Sequence, residues 1–172
     1  PFWAKDPAAV RRPINARGET VATSGMFRHA FARRRCLVPA NGFYEWQARS
    51  DRRTKQPWYL HRHDRELFTF AGLCESWGEG EDRLDTFAII TTEPNELVRP
   101  IHDRMPVIVP PDEHDRWLDL ATEPESLQPL LRPAPDHDWA ADPVSTHVNR
   151  PDHDDASCIE PVEDPDRDLF SA

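Results

Sequence analysis

The chain has 172 residues, 18 prolines against 6 glycines and a formal net charge of -10, which fits one domain of short elements joined by proline-marked loops and excludes long helices or a coiled coil. No apolar run approaches the roughly 20 residues of a membrane span and no charged-then-apolar leader opens the chain, so a soluble, cytoplasmic protein without membrane contact is expected. The net charge hides a polarised distribution: residues 1–65 carry 14 Lys and Arg against 5 Asp and Glu, whereas residues 111–172 carry 4 against 17. A basic first third can hold a polyanion such as nucleic acid despite the acidic total, because binding follows local potential.

In chain order, Pro1 to Pro7 is an aromatic-bearing segment that reads as material from inside a fold, so a preceding stretch is expected. Pro13 to Thr20 reads as a polar loop, and Val21 to Arg34 as a helix with Met26, Phe27, Ala30 and Phe31 at helical spacing. Arg35 to Trp46 reads as a strand, a tight Asn41-Gly42 turn or bulge, and a second strand that seats Glu45 between two aromatics. Beyond a charged tip at 48–56 comes a strand from Pro57 to His63; its two histidines, His61 and His63, are expected to face solvent, since a third metal ligand at suitable spacing is missing.

Leu67 to Trp77 and Thr86 to Thr92 read as strands joined by an acidic loop, and Ile101 to Val109 as another strand. Asp112 to Leu120 is expected to be a short helix turning Trp117 and Leu118 inward, followed by a second helix from Pro124 to Leu131. Pro133 to Asp142 reads as linker, Val144 to Val148 as a last strand, and Asp152 onward as an acidic segment that ends in a disordered tail. The sum is α+β with a dominant, mostly antiparallel sheet or barrel. The expected domain runs over 1–162, with 163–172 as its acidic tail.

Cys36, Cys74 and Cys158 are odd in number and widely spaced, which suggests buried thiols and neither a disulfide framework nor a zinc ribbon. No Gly-rich phosphate loop, Gly-x-Ser-x-Gly elbow or calcium loop is present, so no metal and no cofactor are expected.

The densest chemistry is Ile101-His102-Asp103-Arg104-Met105-Pro106-Val107-Ile108. Two readings stand for it: an Asp103–Arg104 ion pair beside an ordinary half-buried ring, or an acid/base His102 held at a strand end. Taken with Asn15-Ala16-Arg17-Gly18-Glu19-Thr20, Pro39-Ala40-Asn41-Gly42-Phe43-Tyr44-Glu45-Trp46 and Thr91-Thr92, this stretch resembles the SOS response-associated peptidase (SRAP) domain. Order and flanking residues agree over most of residues 1–162.

The resemblance implies a monomeric sensor of abasic sites in single-stranded DNA, acting in the cytoplasm with the nucleoid and carrying self-processing peptidase activity. In that family an N-terminal cysteine forms a Schiff base with the ring-opened sugar, and its thiol closes a thiazolidine DNA–protein crosslink. Carried over by position, Glu45 handles amine and iminium protons, His102 is the acid/base at the sugar, and Asn15 orients the N-terminal residue. Arg17 and Arg104 hold phosphates, Trp3, Thr91 and Trp46 contact DNA, and Met26 with Phe27 forms an apolar wedge against an unstacked base. The wedge competes with a plain helix-core role for Met26 and Phe27.

The family's opening Cys-Gly-Arg segment is not among these residues, so a truncated sequence is expected, with a non-crosslinking member as the alternative. The competing functions are a noncovalent binder of single-stranded or junction DNA, a thiol hydrolase using Cys36 with His102 as base, and an interaction module carried by the acidic tail.

Overall fold

The structure is a computed structural model that describes residues 1–6, 9–50 and 53–163. The expected tail therefore lies outside the described residues except for Glu163. The chain divides into two compact units, each assembled from separated segments.

The first unit comprises Pro1–Ala40, Leu67–Glu93 and Arg104–Ala134. Its sheet is built from β1 (Asn15–Arg17), β2 (Arg35–Ala40), β5 (Phe68–Trp77), β6 (Leu84–Thr92) and β7 (Met105–Pro106), in the order β1-β6-β5-β2, with β7 also on β6. β5 and β6 form the expected hairpin, and β2 lies antiparallel on β5 with Leu37 opposite Ala71. Among the described residues, only β1 runs parallel to its neighbour. α1 (Arg28–Arg33) and α2 (His114–Leu118) cover the sheet, and Phe31, Trp117, Ile90, Val107, Val109 and Leu127 form the core. Each of these six is at most 2% exposed, so burial of each contributes roughly 1.5–3 kcal/mol before the entropy of ordering the chain is counted.

A buried arginine ties this unit together. Arg35, on β2, donates Nε to the Trp117 carbonyl at 2.6 Å, Nη1 to Phe31 at 2.8 Å and Nη2 to Asp119 at 2.6 Å. It thus satisfies the orphan carbonyls that both short helices leave at their C-terminal ends. At the chain start, the Phe2 amide and the Arg34 guanidinium both donate to Glu75, and Trp77 donates to the Ala4 carbonyl.

Several expectations change here. Asn15-Ala16-Arg17 is not loop but strand, because its amides and carbonyls pair with Ile89 to Thr91 while Ala16 enters the core. The helix expected from Val21 begins only at Arg28: the Thr23 and Ser24 side chains bond within the preceding turns, and Gly25 weakens any helix running through them. Ile101 to Val109 is not one strand, since it changes partners. Met105 and Pro106 pair with β6, Val107 joins the Ile90 carbonyl, and Ile108 bridges to Phe70 on β5. In α2 Trp117 is buried, but Leu118 is 44% exposed, since adjacent helix positions point about 100° apart.

The second unit comprises Asn41–Glu66, Pro94–Asp103 and the chain from Pro135. Its sheet is β3 (Phe43–Gln47), β4 (Gln56–Arg62) and β8 (Trp139–Pro143), all antiparallel, with Trp58, Tyr59, Leu60 and Trp139 buried. Asn41-Gly42 is therefore no hairpin turn, because β2 and β3 belong to different sheets. Gly42 serves packing instead: a Cβ there would overlap the Tyr59 ring. Pro133 to Asp142 is not linker throughout, since Trp139–Pro143 forms β8 by pairing with β4, which no local propensity of Trp-Ala-Ala-Asp-Pro announces. Val144 makes a single bridge to Pro161, and Thr146–Asn149 is a 3-10 turn capped by Ser145, not a strand. His61 is 2% exposed rather than solvent-facing, because Asp142 and the Arg62 carbonyl satisfy its two ring nitrogens. His63 lies beyond the end of β4 and is exposed.

No helix among the described residues is long and apolar enough to cross a membrane.

Candidate functional site

In the second unit, β3 alternates its side chains across the sheet, so Glu45 and Gln47 share one face while Tyr44 and Trp46 take the other. The loop from Pro94 to Asp103 brings His102 over the Glu45 face, with His102 Nδ1 at 3.5 Å from Glu45 Oε2 and 3.4 Å from Asp103 Oδ1. That loop is built to stay in place. Asn95 accepts from the Val98 amide at 3.0 Å, Ile101 and His102 amides both reach the Val98 carbonyl, and Val98 and Ile101 are buried.

Gln47 fastens the loop to the strand. Its side-chain oxygen accepts from Trp58 Nε1 at 3.0 Å, and its Nε2 donates to the Pro100 carbonyl at 3.1 Å, two residues before His102. Gln47 is 7% exposed, and its residue type alone does not single it out in the sequence. Its period-two relation to Glu45 was the available signal.

The Glu45 side chain is 18% exposed and that of His102 is 35% exposed. Burial pushes the Glu45 carboxyl up, the imidazole of His102 pulls it partly back, and the carboxylate of Asp103 adds to the rise. A carboxyl raised in this way beside an imidazole holds its proton more readily than an ordinary carboxylate, which suits a group that takes up and returns a proton.

On the other face of β3, Trp46 donates Nε1 to Asn149 at 2.7 Å and Tyr44 donates its hydroxyl to the Cys158 carbonyl at 3.4 Å.

In the first unit the structure gathers a second set of the expected residues. The parallel pairing of β1 on β6 sets Arg17 opposite Thr91, with Asn15 and Arg17 exposed on either side of buried Ala16. Arg104 projects its fork onto Glu19, with Nη1 to Oε1 at 2.6 Å and Nη2 to Oε2 at 2.9 Å. The same Nη2 donates to the Thr91 carbonyl at 2.6 Å. Hydrogen bonding from Arg104 holds the Glu19 carboxyl below its ordinary range, and Arg17 adds to the effect. Close backbone packing helps: the Gly18 amide donates to the Thr91 carbonyl at 2.8 Å, and a Cβ on Gly18 would meet that oxygen at 3.3 Å.

Met26 and Phe27 are half-buried just ahead of α1. They line an apolar cavity of about 200 Å³ together with Ile14, Leu73, Phe87 and Ala88. Phe27 also rests against the core, so its position is compatible with both packing and an apolar ligand contact. Trp3 is 50% exposed in the opening turn.

The expected burial of the cysteines holds for Cys158, whereas Cys36 and Cys74 are only partly buried. The surroundings of Cys36 nevertheless push its thiol up to about 11, chiefly by burial and then through neighbouring Cys74. Little thiolate exists there at neutral pH, which weighs against Cys36 as a hydrolytic nucleophile.

Comparison with known proteins gives a consistent result. The family model described as SOS response associated peptidase (SRAP) matches residues 1–151. The chain is 44% identical over 162 residues to the abasic site processing protein YoqW of Bacillus subtilis, covering 93% of this chain and 72% of that one. It is 34% identical over 189 residues to the abasic site processing protein HMCES of Gallus gallus, covering 95% of this chain and 55% of that one. A crystal structure of a Bacteroides thetaiotaomicron protein superposes with a TM-score of 0.86 at 27% identity, over 94% of this chain and 73% of that one. The α+β architecture with mostly antiparallel sheets is thus shared with a solved structure, and the chain belongs to the SRAP family.

Proposed function

We propose that this protein senses and processes abasic sites in single-stranded DNA, with Glu45 and His102 as its acid/base pair. The observation that supports this best is the half-buried, upward-shifted Glu45 carboxyl within 3.5 Å of the His102 imidazole. It is joined by the names of the relatives, which are abasic site processing proteins.

The chemistry follows from what an abasic site offers. Its ring-opened sugar carries an aldehyde, and an amine adds to it only when deprotonated. Glu45 takes the ammonium proton, the amine attacks the carbonyl carbon and passes a proton to the new hydroxyl oxygen, and His102 protonates that hydroxyl so that water leaves; the resulting iminium returns its nitrogen proton to His102 and an imine remains. Addition of a neighbouring thiol across that imine closes a thiazolidine, with the thiol proton passing to the imine nitrogen. The amine and thiol of that step belong to an N-terminal cysteine, exposed by self-processing in the family chemistry; Cys36, Cys74 and Cys158 are internal. Asn15 orients that residue, Arg17 and Arg104 hold phosphates, and Trp3, Thr91 and Trp46 line the DNA path. Met26 and Phe27 supply the apolar contact for an unstacked base. Arg104 reaches a phosphate by exchanging Glu19 for it, a swap between two acceptors of matching geometry. The protein acts as a monomer in the cytoplasm, with the nucleoid.

The test is a denaturing gel with single-stranded DNA carrying one abasic site, run with the 172-residue chain and with the chain extended upstream to an N-terminal cysteine. A denaturation-resistant band from the extended chain, weakened in its Glu45→Gln and His102→Ala forms, is the expected result. Absence of a band from both chains, together with salt-sensitive binding, would leave noncovalent DNA binding in its place.

A further inference from the structure

A separate set of side chains lies in the second unit, on the Tyr44 and Trp46 face of β3. His147 sits on the 3-10 turn Thr146–Asn149, and Asp155 caps the next one, Ala156–Cys158, through Ser157. His147 Nε2 is 3.0 Å from Asp155 Oδ2, and one donor atom each from His147, Asp155 and Cys158 lie within 4.8 Å of one another. Imidazole nitrogen, carboxylate oxygen and thiol sulfur are the three ligand types that zinc-class ions take together.

We propose that His147, Asp155 and Cys158 form a binding site for a divalent, borderline-soft transition ion of the zinc class, with a water in the fourth position. In a tetrahedral site the donor atoms stand about 3.3–3.6 Å apart. The His147–Asp155 separation is already near that, and the sulfur has to draw in by about 1.5 Å at most.

The surroundings favour such a site. The His153 ring stacks on that of His147 at 3.7 Å between centroids and 18° between planes, and its Nδ1 donates to the His147 carbonyl at 2.7 Å. This holds the His147 ring in place, as outer contacts do around bound metals. Cys158 is 7% exposed while Asp155 is open to solvent, so the ion has a path in and a dry sulfur to meet. On binding, the Cys158 thiol releases its proton to solvent, and a neutral His147 moves its ring proton from Nε2 to Nδ1.

The consequence is mechanical. An ion at this point ties the turn carrying Cys158 to the turn carrying His147 and Asn149, and Asn149 is the partner of the Trp46 indole. Metal occupancy therefore fixes the orientation of Trp46.

Cobalt(II) is the probe, because a thiolate ligand gives it a charge-transfer absorption that nitrogen and oxygen ligands do not. The 172-residue chain, stripped with chelator, should take up about one equivalent and develop that band. Cys158→Ser should abolish it, and Asp155→Asn should weaken binding by about tenfold or more while still capping the turn. Near-ultraviolet dichroism checks that both variants remain folded. No band at stoichiometric cobalt, a band that survives Cys158→Ser, or unchanged affinity in Asp155→Asn would each overturn the assignment.

Discussion

Two glutamates of this protein, Glu19 beside Arg104 and Glu45 beside His102, have their carboxyls shifted in opposite directions. In the first unit Glu19 meets the full fork of Arg104 at 2.6 and 2.9 Å and is half exposed, so hydrogen bonding wins and its carboxyl is held low. In the second unit Glu45 is largely buried and meets a smaller, one-third-exposed imidazole at 3.5 Å, so desolvation wins and its carboxyl is pushed up. The first arrangement positions an arginine. The second holds a carboxyl toward its protonated form, the kind of group that the proposed acid/base role asks for, and burial separates the two better than the presence of either charge does.

The sharpest way to break the comparison is at the second pair. In the crosslinking assay with the cysteine-bearing chain, Glu45→Gln should slow adduct formation by about 100-fold and His102→Ala by a similar factor, the usual scale of acid/base assistance. Both proteins should remain folded. Loss of less than twofold in both would move the chemistry elsewhere.

Next in size is the strut beneath that pair. Gln47→Leu removes the acceptor that Gln47 offers the Trp58 indole and the donor it offers the Pro100 carbonyl, which should cost about 1–3 kcal/mol in urea unfolding and loosen the His102 loop. An unchanged midpoint would mean that packing alone holds the loop.

Beside the first pair, Arg17→Glu should weaken binding to undamaged single-stranded DNA by about tenfold and reduce its salt dependence. Affinity equal to that of the unmodified chain would remove the β1–β6 edge from the DNA path.

The smallest effects are on stability against pH, and their signs differ. Glu45 is raised, so its contribution is complete below its ordinary value of 4.5 and is lost as pH rises through the raised pKa. Glu45→Gln should therefore raise the melting temperature at pH 7, with the gain vanishing in acid. Glu19 is lowered, so its contribution is present above 4.5 and lost as pH falls through the lowered pKa. Being half exposed, it should be worth at most about 0.5 kcal/mol, and Glu19→Gln should remove that at neutral pH. Melting curves of the two variants between pH 4 and 7 that moved in the same direction would contradict the contrast.

Much of this was legible in the residues. The β5–β6 hairpin follows from two apolar runs around an acidic loop, Trp117 from a single large apolar group in a short polar helix, and the α+β class from the alternation of such runs. The candidate acid/base residues stood out because Glu45 and His102 are isolated polar groups beside apolar strands. What escaped reading depended on partners distant in sequence. β8 exists through β4, the short β1 through β6, and His61 is buried because Asp142 arrives 81 residues later. Asn41-Gly42 carried a hairpin signature, yet it joins strands of different sheets, since Tyr59 demands the missing side chain.

By itself, then, the sequence determined which family the chain belongs to and which residues are candidates for its chemistry, because side-chain type and order are local properties that survive without coordinates. Only the tertiary structure decided how those residues behave. Whether a glutamate is raised or lowered depends on how much water surrounds it and on which donors reach it. Gln47, Arg35 and the His147–Asp155–Cys158 group likewise acquire meaning only where the chain returns on itself. Burial and distance are sums over neighbours that the linear order does not contain.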